Sequence, residues 1–143
     1  MRWSSISRTL LTIGVCAPVF GQALSSSRFD GDWTVSIDCP SNTEESGAKG
    51  YRFQFPAVVK DGVLAASVGM EGWSASLRIE GPIRSDGSAE LRARGRTGNP
   101  EYAAKQPLSG TPYSYRIKAQ FDDDKGTGSR IETRVCNFVF ARK

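Results

Sequence analysis

Two alternating runs, near the two ends of the chain, constrain its fold more than anything between them. Cys39 closes a run in which Trp33, Val35, Ile37 and Cys39 alternate with Thr34, Ser36 and Asp38. Cys136 opens another, in which Cys136, Phe138, Phe140 and Arg142 alternate with Asn137, Val139 and Ala141. Successive side chains of a strand point to opposite faces, so each run has one mostly apolar face. If the runs are antiparallel neighbours with the cysteines opposite each other, Ile37 faces Phe138, Val35 faces Phe140 and Trp33 faces Arg142. A first and a last strand that pair describe a closed sheet.

Residues 1–23 read as a secretory signal peptide. Arg2 and Arg8 make a basic start, Leu10 to Phe20 a mostly apolar stretch, and Gly21-Gln22-Ala23 a small-residue cleavage site. The apolar stretch is too short to span a bilayer, which takes ~20 residues. A lipid anchor on Cys16 is the competing reading, and the bulky Val15 argues against it. Cleavage after Ala23 leaves 24–143 as a single domain, expected to be periplasmic or secreted. It also removes two basic residues, leaving 17 Lys and Arg against 15 Asp and Glu, a net charge of +2. So small an excess demands no anionic partner. Two cysteines remain, and in an oxidising compartment they are expected to pair. Closing a loop of about 98 residues is worth roughly 4–5 kcal/mol in the chain-entropy model.

Period-two alternation recurs between these runs, and no segment sustains a helical period. Strands are expected at Tyr51 to Val59, Val63 to Val68, Trp73 to Glu80, Ala89 to Arg96, Tyr113 to Phe121 and Thr127 to Glu132. Lys60-Asp61-Gly62 is a tight hairpin signal, and Asp86-Gly87 and Asp122 to Gly126 mark further turns. The fold class is therefore all-β: an eight-stranded antiparallel up-and-down barrel, with a β-sandwich as the alternative. In such a meander the connections alternate between ends. Lys60 to Gly62, Gly81 to Ser88 and Asp122 to Gly126, all fairly short, share one end; Pro40 to Gly50, Gly69 to Gly72, Thr97 to Pro112 and Thr133 to Val135, two of them long, share the other with the disulfide. The barrel then has a closed floor, where Trp33 and Arg142 lie, and an elaborated rim.

The chain contains no histidine, which removes the commonest general base and metal ligand. Oxidised cysteines remove thiol catalysis, and the acids fall mainly in turns and on outward positions. No enzymatic activity, cofactor or metal site is expected. Asp122 to Asp124 lacks the EF-hand spacing and reads as a solvated hairpin tip. Arg92, Arg94 and Arg96 form a basic stripe without interleaved aromatics, the outer face of a strand rather than a nucleic-acid footprint.

Phe29-Asp30-Gly31-Asp32-Trp33 resembles the Gly-x-Trp start of the calycin superfamily, which includes lipocalins and avidins. The resemblance implies that Arg142 of the last strand packs over Trp33 and caps the closed end, a cation–π contact. The longer loop motifs of lipocalins are missing, so no particular ligand carries over. The chain also resembles a group of small exported bacterial proteins.

The candidate ligand-binding residues are aromatic: Tyr51, Trp73, Tyr113 and Tyr115 at inward positions near the rim, and Tyr102 in the long loop above. An aromatic collar with hydroxyl tips suits a small flat or apolar ligand. The same rings could instead simply fill the barrel, since eight strands leave room for side chains or one small ligand. The expected function is a monomeric, non-enzymatic binding module for a small molecule, or for a peptide or protein of the envelope. The alternatives are an inhibitor of a secreted hydrolase, acting through an arm at Leu24 to Arg28, and a structural accessory protein of the envelope. Neither a nucleic-acid partner nor a membrane span is expected.

Overall fold

The computed structural model describes residues 27–130 and 132–143. The expected signal peptide, residues 1–23, lies outside them, as does Ile131, the one strongly apolar residue of the expected seventh strand. A 3-10 turn at Ser27–Phe29 leads into eight strands: β1 Gly31–Cys39, β2 Tyr51–Lys60, β3 Val63–Val68, β4 Leu77–Pro82, β5 Ser88–Arg96, β6 Pro112–Phe121, β7 Lys125–Arg130 and β8 Cys136–Arg142. Each pairs antiparallel with its neighbour in sequence, and β1 pairs with β8, closing an up-and-down barrel. Among the described residues no helix is long and apolar enough to cross a membrane.

The closing register is the expected one: Trp33 opposite Arg142, Val35 opposite Phe140 and Ile37 opposite Phe138. Cys39 and Cys136 are bonded at the end of that ladder. The β2–β3 hairpin turns on Asp61 and Gly62, with φ of 52° and 72°. Two successive positive φ values give the turn twist that matches the strands on either side. Both turn amides donate to the Asp30 carboxylate, at 3.0 Å from Asp61 and 2.9 Å from Gly62. Asp30 thus fastens the start of the chain to the first hairpin.

The closed end is packed solid. Phe29, Trp33, Phe121 and Phe140 are fully or almost fully buried, and Phe121 lies edge-on to Trp33 with ring centroids 5.6 Å apart. Trp33 Nε1 donates to the Phe29 carbonyl at 2.9 Å. Arg142 covers the indole at 5.1 Å from its centroid and donates to the carbonyls of Asp30 (3.0 Å) and Arg28 (2.8 Å). Each large apolar side chain buried here is worth roughly 1.5–3 kcal/mol. Capping costs little, because the guanidinium replaces water for carbonyls that the 3-10 turn leaves unpaired. The eight-stranded barrel and this cap are consistent with a calycin-like fold.

Two strands depart from expectation. β4 begins at Leu77, not Trp73, because a bulge precedes it. Ala75 donates to the Arg96 carbonyl and Arg96 to the Ser76 carbonyl, both at 3.0 Å, so two residues oppose one. Ala75 has a φ of 63°, at the position where such a bulge ordinarily takes glycine. The alternation breaks there, and Trp73 sits on the β3–β4 loop, 67% exposed, instead of facing inward. β7 starts at Lys125, two residues early, because Gly126 and Gly128 occupy inner positions opposite Phe140 and Phe138. A Cβ on Gly126 would lie 2.7 Å from the Phe121 ring, so a strand without inner side chains makes room for its neighbours' rings.

Candidate functional site

The opposite end is built from three connections that bond to one another. The segment 40–50 and the segment 97–111 are joined by Lys49 N–H to the Glu101 carbonyl (2.8 Å) and Lys105 N–H to the Ser46 carbonyl (2.6 Å). The Gln106 side chain adds a bond to the Gly47 carbonyl at 3.1 Å. A 3-10 turn at Pro100–Tyr102, capped by Asn99 Oδ1 accepting from Glu101 N–H at 3.0 Å, presents Tyr102 to the rim.

Arg134, on the β7–β8 connection, draws these loops together. Its side chain is buried. The guanidinium donates to the carbonyls of Tyr102 (2.9 Å), Lys49 and Pro40, and lies 5.7 Å from the Tyr51 ring centroid. Burial, reinforced by Arg130, lowers its pKa, and Tyr51 opposes that shift. A cation in this position holds three carbonyls from two separate loops at once, which no local hydrogen bond could do.

Between these loops and the barrel interior lies a cavity of ≈ 380 Å³. Tyr51, Tyr102, Tyr113 and Tyr115 line it together with Arg130, Arg134 and small residues of 97–107. Four of the five aromatic candidates are thus brought together; Trp73 is not among the residues that line it. Tyr115 is buried as the floor, and Tyr113 stacks beside it with centroids 6.0 Å apart and planes 6° from parallel. Tyr51 meets Tyr102 edge-on at 6.3 Å. The Tyr113 ring lies across Gly95, where an added Cβ would come within 2.5 Å of the phenol oxygen and 2.2 Å of the Ser76 carbonyl. Glycine is required there so that the ring can lie down. Below Tyr115 the rings of Phe138 and Phe140 pack into the barrel interior.

Sequence reasoning missed the two arginines. Arg130 ends β7 on the inner row and places its guanidinium 4.0 Å over the Tyr115 ring. Its Nε donates to the Glu132 carbonyl at 2.9 Å, while the Glu132 carboxylate pairs with Arg116 at 2.9 Å. Neither Arg130 nor Arg134 has a carboxylate within ion-pair distance among the described residues, and no acidic side chain lines the cavity. Burial raises the pKa of Tyr51, takes Tyr113 up to about 12 and pushes Tyr115 higher still. All three are therefore neutral hydroxyl donors at ordinary pH.

β6 outruns β7 at this end. Their ladder begins at Lys118 opposite Ser129, and among the described residues Pro112 to Ile117 have no partner in β7. There the Glu132 carboxylate accepts from Arg116 N–H at 3.1 Å, in place of a strand carbonyl. The cavity lies beside this seam, bounded by Tyr113, Ser114, Tyr115 and Arg130.

A second, larger hollow of ≈ 510 Å³ lies on the flank below the 69–76 loop, sharing only Tyr113 and Ser114 with the first. Its arginines are already engaged. Arg78 and Arg94 both pair with Glu80, at 2.9 and 2.6 Å, and Arg96 donates to the Gly110 carbonyl at 3.0 Å. The arginine stripe is thus an outer strand face on which Arg94 is ion-paired and Arg96 is bound to a carbonyl. At the closed end, Asp123 of the 122–124 turn pairs with Arg28 at 3.0 Å; of the expected arm Leu24 to Arg28, Ser27 and Arg28 start the 3-10 turn there and the rest lies outside the described residues.

Comparison with protein-family models, with curated proteins and with solved structures found no match.

Proposed function

We propose that this protein is a non-enzymatic binding module that takes a small ligand in the mouth of its barrel, and that it works in the periplasm or outside the cell. One observation carries the reading: a cavity of ≈ 380 Å³ at one end of the barrel, walled by four tyrosines from β2, β6 and the 97–111 loop. Its size falls within the range of small-molecule sites, and its mixture of ring faces and a few polar groups is the usual composition of one. The rigid strands below and the bonded loops above hold the site formed without a ligand, which lowers the ordering cost of binding.

The test is native mass spectrometry of protein purified from its own producing cells, followed by amide shift mapping with any small molecule recovered. Shifts centred on Tyr51, Tyr102, Tyr113 and Tyr115 support the reading; a ligand held on the flank by Arg92, Arg94 and Arg96, with Tyr115→Ala harmless, overturns it.

A second reading, recognition of a protein such as a secreted hydrolase, draws on the exposed Met70 (65%), Trp73 (67%) and Leu108 (82%) of the rim-end loops. Exposed apolar side chains on loops of one end suit a protein partner. Co-purification of a protein lost on Trp73→Ser, with no small molecule in the mouth, would favour it.

A further inference from the structure

Resting on the mouth-binding reading, the inference concerns what kind of molecule enters. We propose that the ligand is a small flat organic acid, with its carboxylate on Arg130 and its ring among Tyr51, Tyr102 and Tyr113.

The lining is one-sided in its chemistry. Four tyrosines and two arginines line the cavity, and no Asp or Glu does; of the four hydroxyls, that of Tyr113 already donates to the Ser76 carbonyl at 3.5 Å. Asn99 Oδ1, the one side-chain amide oxygen in the lining, is already engaged by Glu101 N–H at 3.0 Å. A lining with two guanidiniums and no carboxylate favours an anion over a cation. Two arginines at one mouth also repel each other, and a bound anion relieves that repulsion.

The two cations have separate roles. The buried Arg134 is consumed by loop carbonyls, and its Nε has no partner and no access to solvent. It contributes field. Arg130 is only partly buried, with one face over Tyr115 and its Nε tied to the Glu132 carbonyl. Those two contacts, with a hydrogen bond between the guanidinium and the Tyr115 hydroxyl, fix Arg130 in position and leave its remaining N–H donors for a carboxylate. The remaining wall is ring surface: Tyr113 lies flat across Gly95, and Tyr51 and Tyr102 stand edge to face. Flat ring surface favours a flat ligand body over a branched aliphatic one.

The experiment uses the disulfide-bonded protein and matched probes: benzoate with benzamide, indole-3-acetate with indole-3-acetamide, and cyclohexanecarboxylate as a non-flat acid. Affinities come from amide shift titrations, which also report location. The acids are expected to shift residues around Tyr113, Tyr115 and Arg130, and to bind about tenfold or more tightly than the amides. Arg130→Gln should remove that preference, and Arg130→Lys should restore only part of it. If amides and acids bind the mouth equally, the acid proposal fails while the mouth-binding reading stands. If cyclohexanecarboxylate matches benzoate, the requirement for flatness fails. If no probe shifts the mouth residues, both fail. Should Arg130→Gln not fold, the acid–amide comparison on the unaltered protein decides alone.

Discussion

Each end of the barrel is closed over by an arginine, and the two arginines behave alike in everything but their result. Arg142 and Arg134 both donate to main-chain carbonyls and both lie near an aromatic ring. In both, Nε is left buried without a partner. At the closed end the carbonyls come from one turn, 28–30, and beneath them Trp33, Phe29 and Phe121 leave no space. At the mouth the carbonyls belong to residues 40, 49 and 102, far apart in sequence, so the guanidinium spans a gap instead of plugging one. The same side chain makes a lid where its acceptors are local and a tie-beam where they are distant. What separates a filled end from a hollow one is the length of the loops, not the chemistry of the cap.

The largest effect that could break this contrast lies at the disulfide. Replacing Cys39 and Cys136 together by Ser should lower unfolding free energy by about 4–5 kcal/mol in the chain-entropy model, read from urea melts. A loss under about 1 kcal/mol would mean that the β1–β8 ladder and Arg134 hold the mouth end unaided.

Next come the two arginines. Arg142→Ala should cost about 1–2 kcal/mol of global stability through lost cation–π and hydrogen-bond energy, with amide exchange in the rim loops unchanged. Arg134→Ala should do the reverse: Lys49 and Lys105 amides should exchange faster, while the packed floor keeps its protection. If both variants lower global stability equally and neither frees the rim, the lid and tie-beam roles collapse into one.

The mouth tyrosines give a pH signature that the floor lacks. Their folded pKa values lie above the ordinary 10.0 because burial opposes the phenolate, Tyr113 reaching about 12. Between those values the unfolded chain has lost protons that the folded one keeps. Stability is therefore complete below pH 10 and falls as pH rises toward 12. Tyr113→Phe should flatten that decline, measured by denaturant melts across the range; an unchanged slope would place Tyr113 in water. The smallest effect is expected on the flank, where Glu80→Gln breaks two exposed ion pairs and should cost less than about 1 kcal/mol.

The sequence carried the closed barrel because parity is a long-range constraint written locally. Once Cys39 and Cys136 are set opposite each other, Trp33 must meet Arg142, and alternation supplies the other strands. The aromatic collar followed from the same parity for Tyr51, Tyr113 and Tyr115. It failed for Trp73, because a bulge on a positive-φ alanine has no signature in residue type. Arg130 was legible in principle: Gly126, Gly128 and Arg130 share the inner row set by Phe140, Phe138 and Cys136. Glycines at two of those positions hid the strand's phase, since alternation is read from side chains. Arg134 left no trace at all. Its role is defined by three carbonyls that only the folded loops assemble.

Because β1 and β8 both leave the barrel at the floor, a pull on the two ends of the chain would peel them apart like a zipper. Trp33 and Arg142 would separate first, then each pair in turn, until the opening reached Cys39 and Cys136. There the covalent link would take the load. The mouth lies beyond that link. The bond that closes the sheet is therefore also a mechanical stop, set between the ends of the chain and its candidate site.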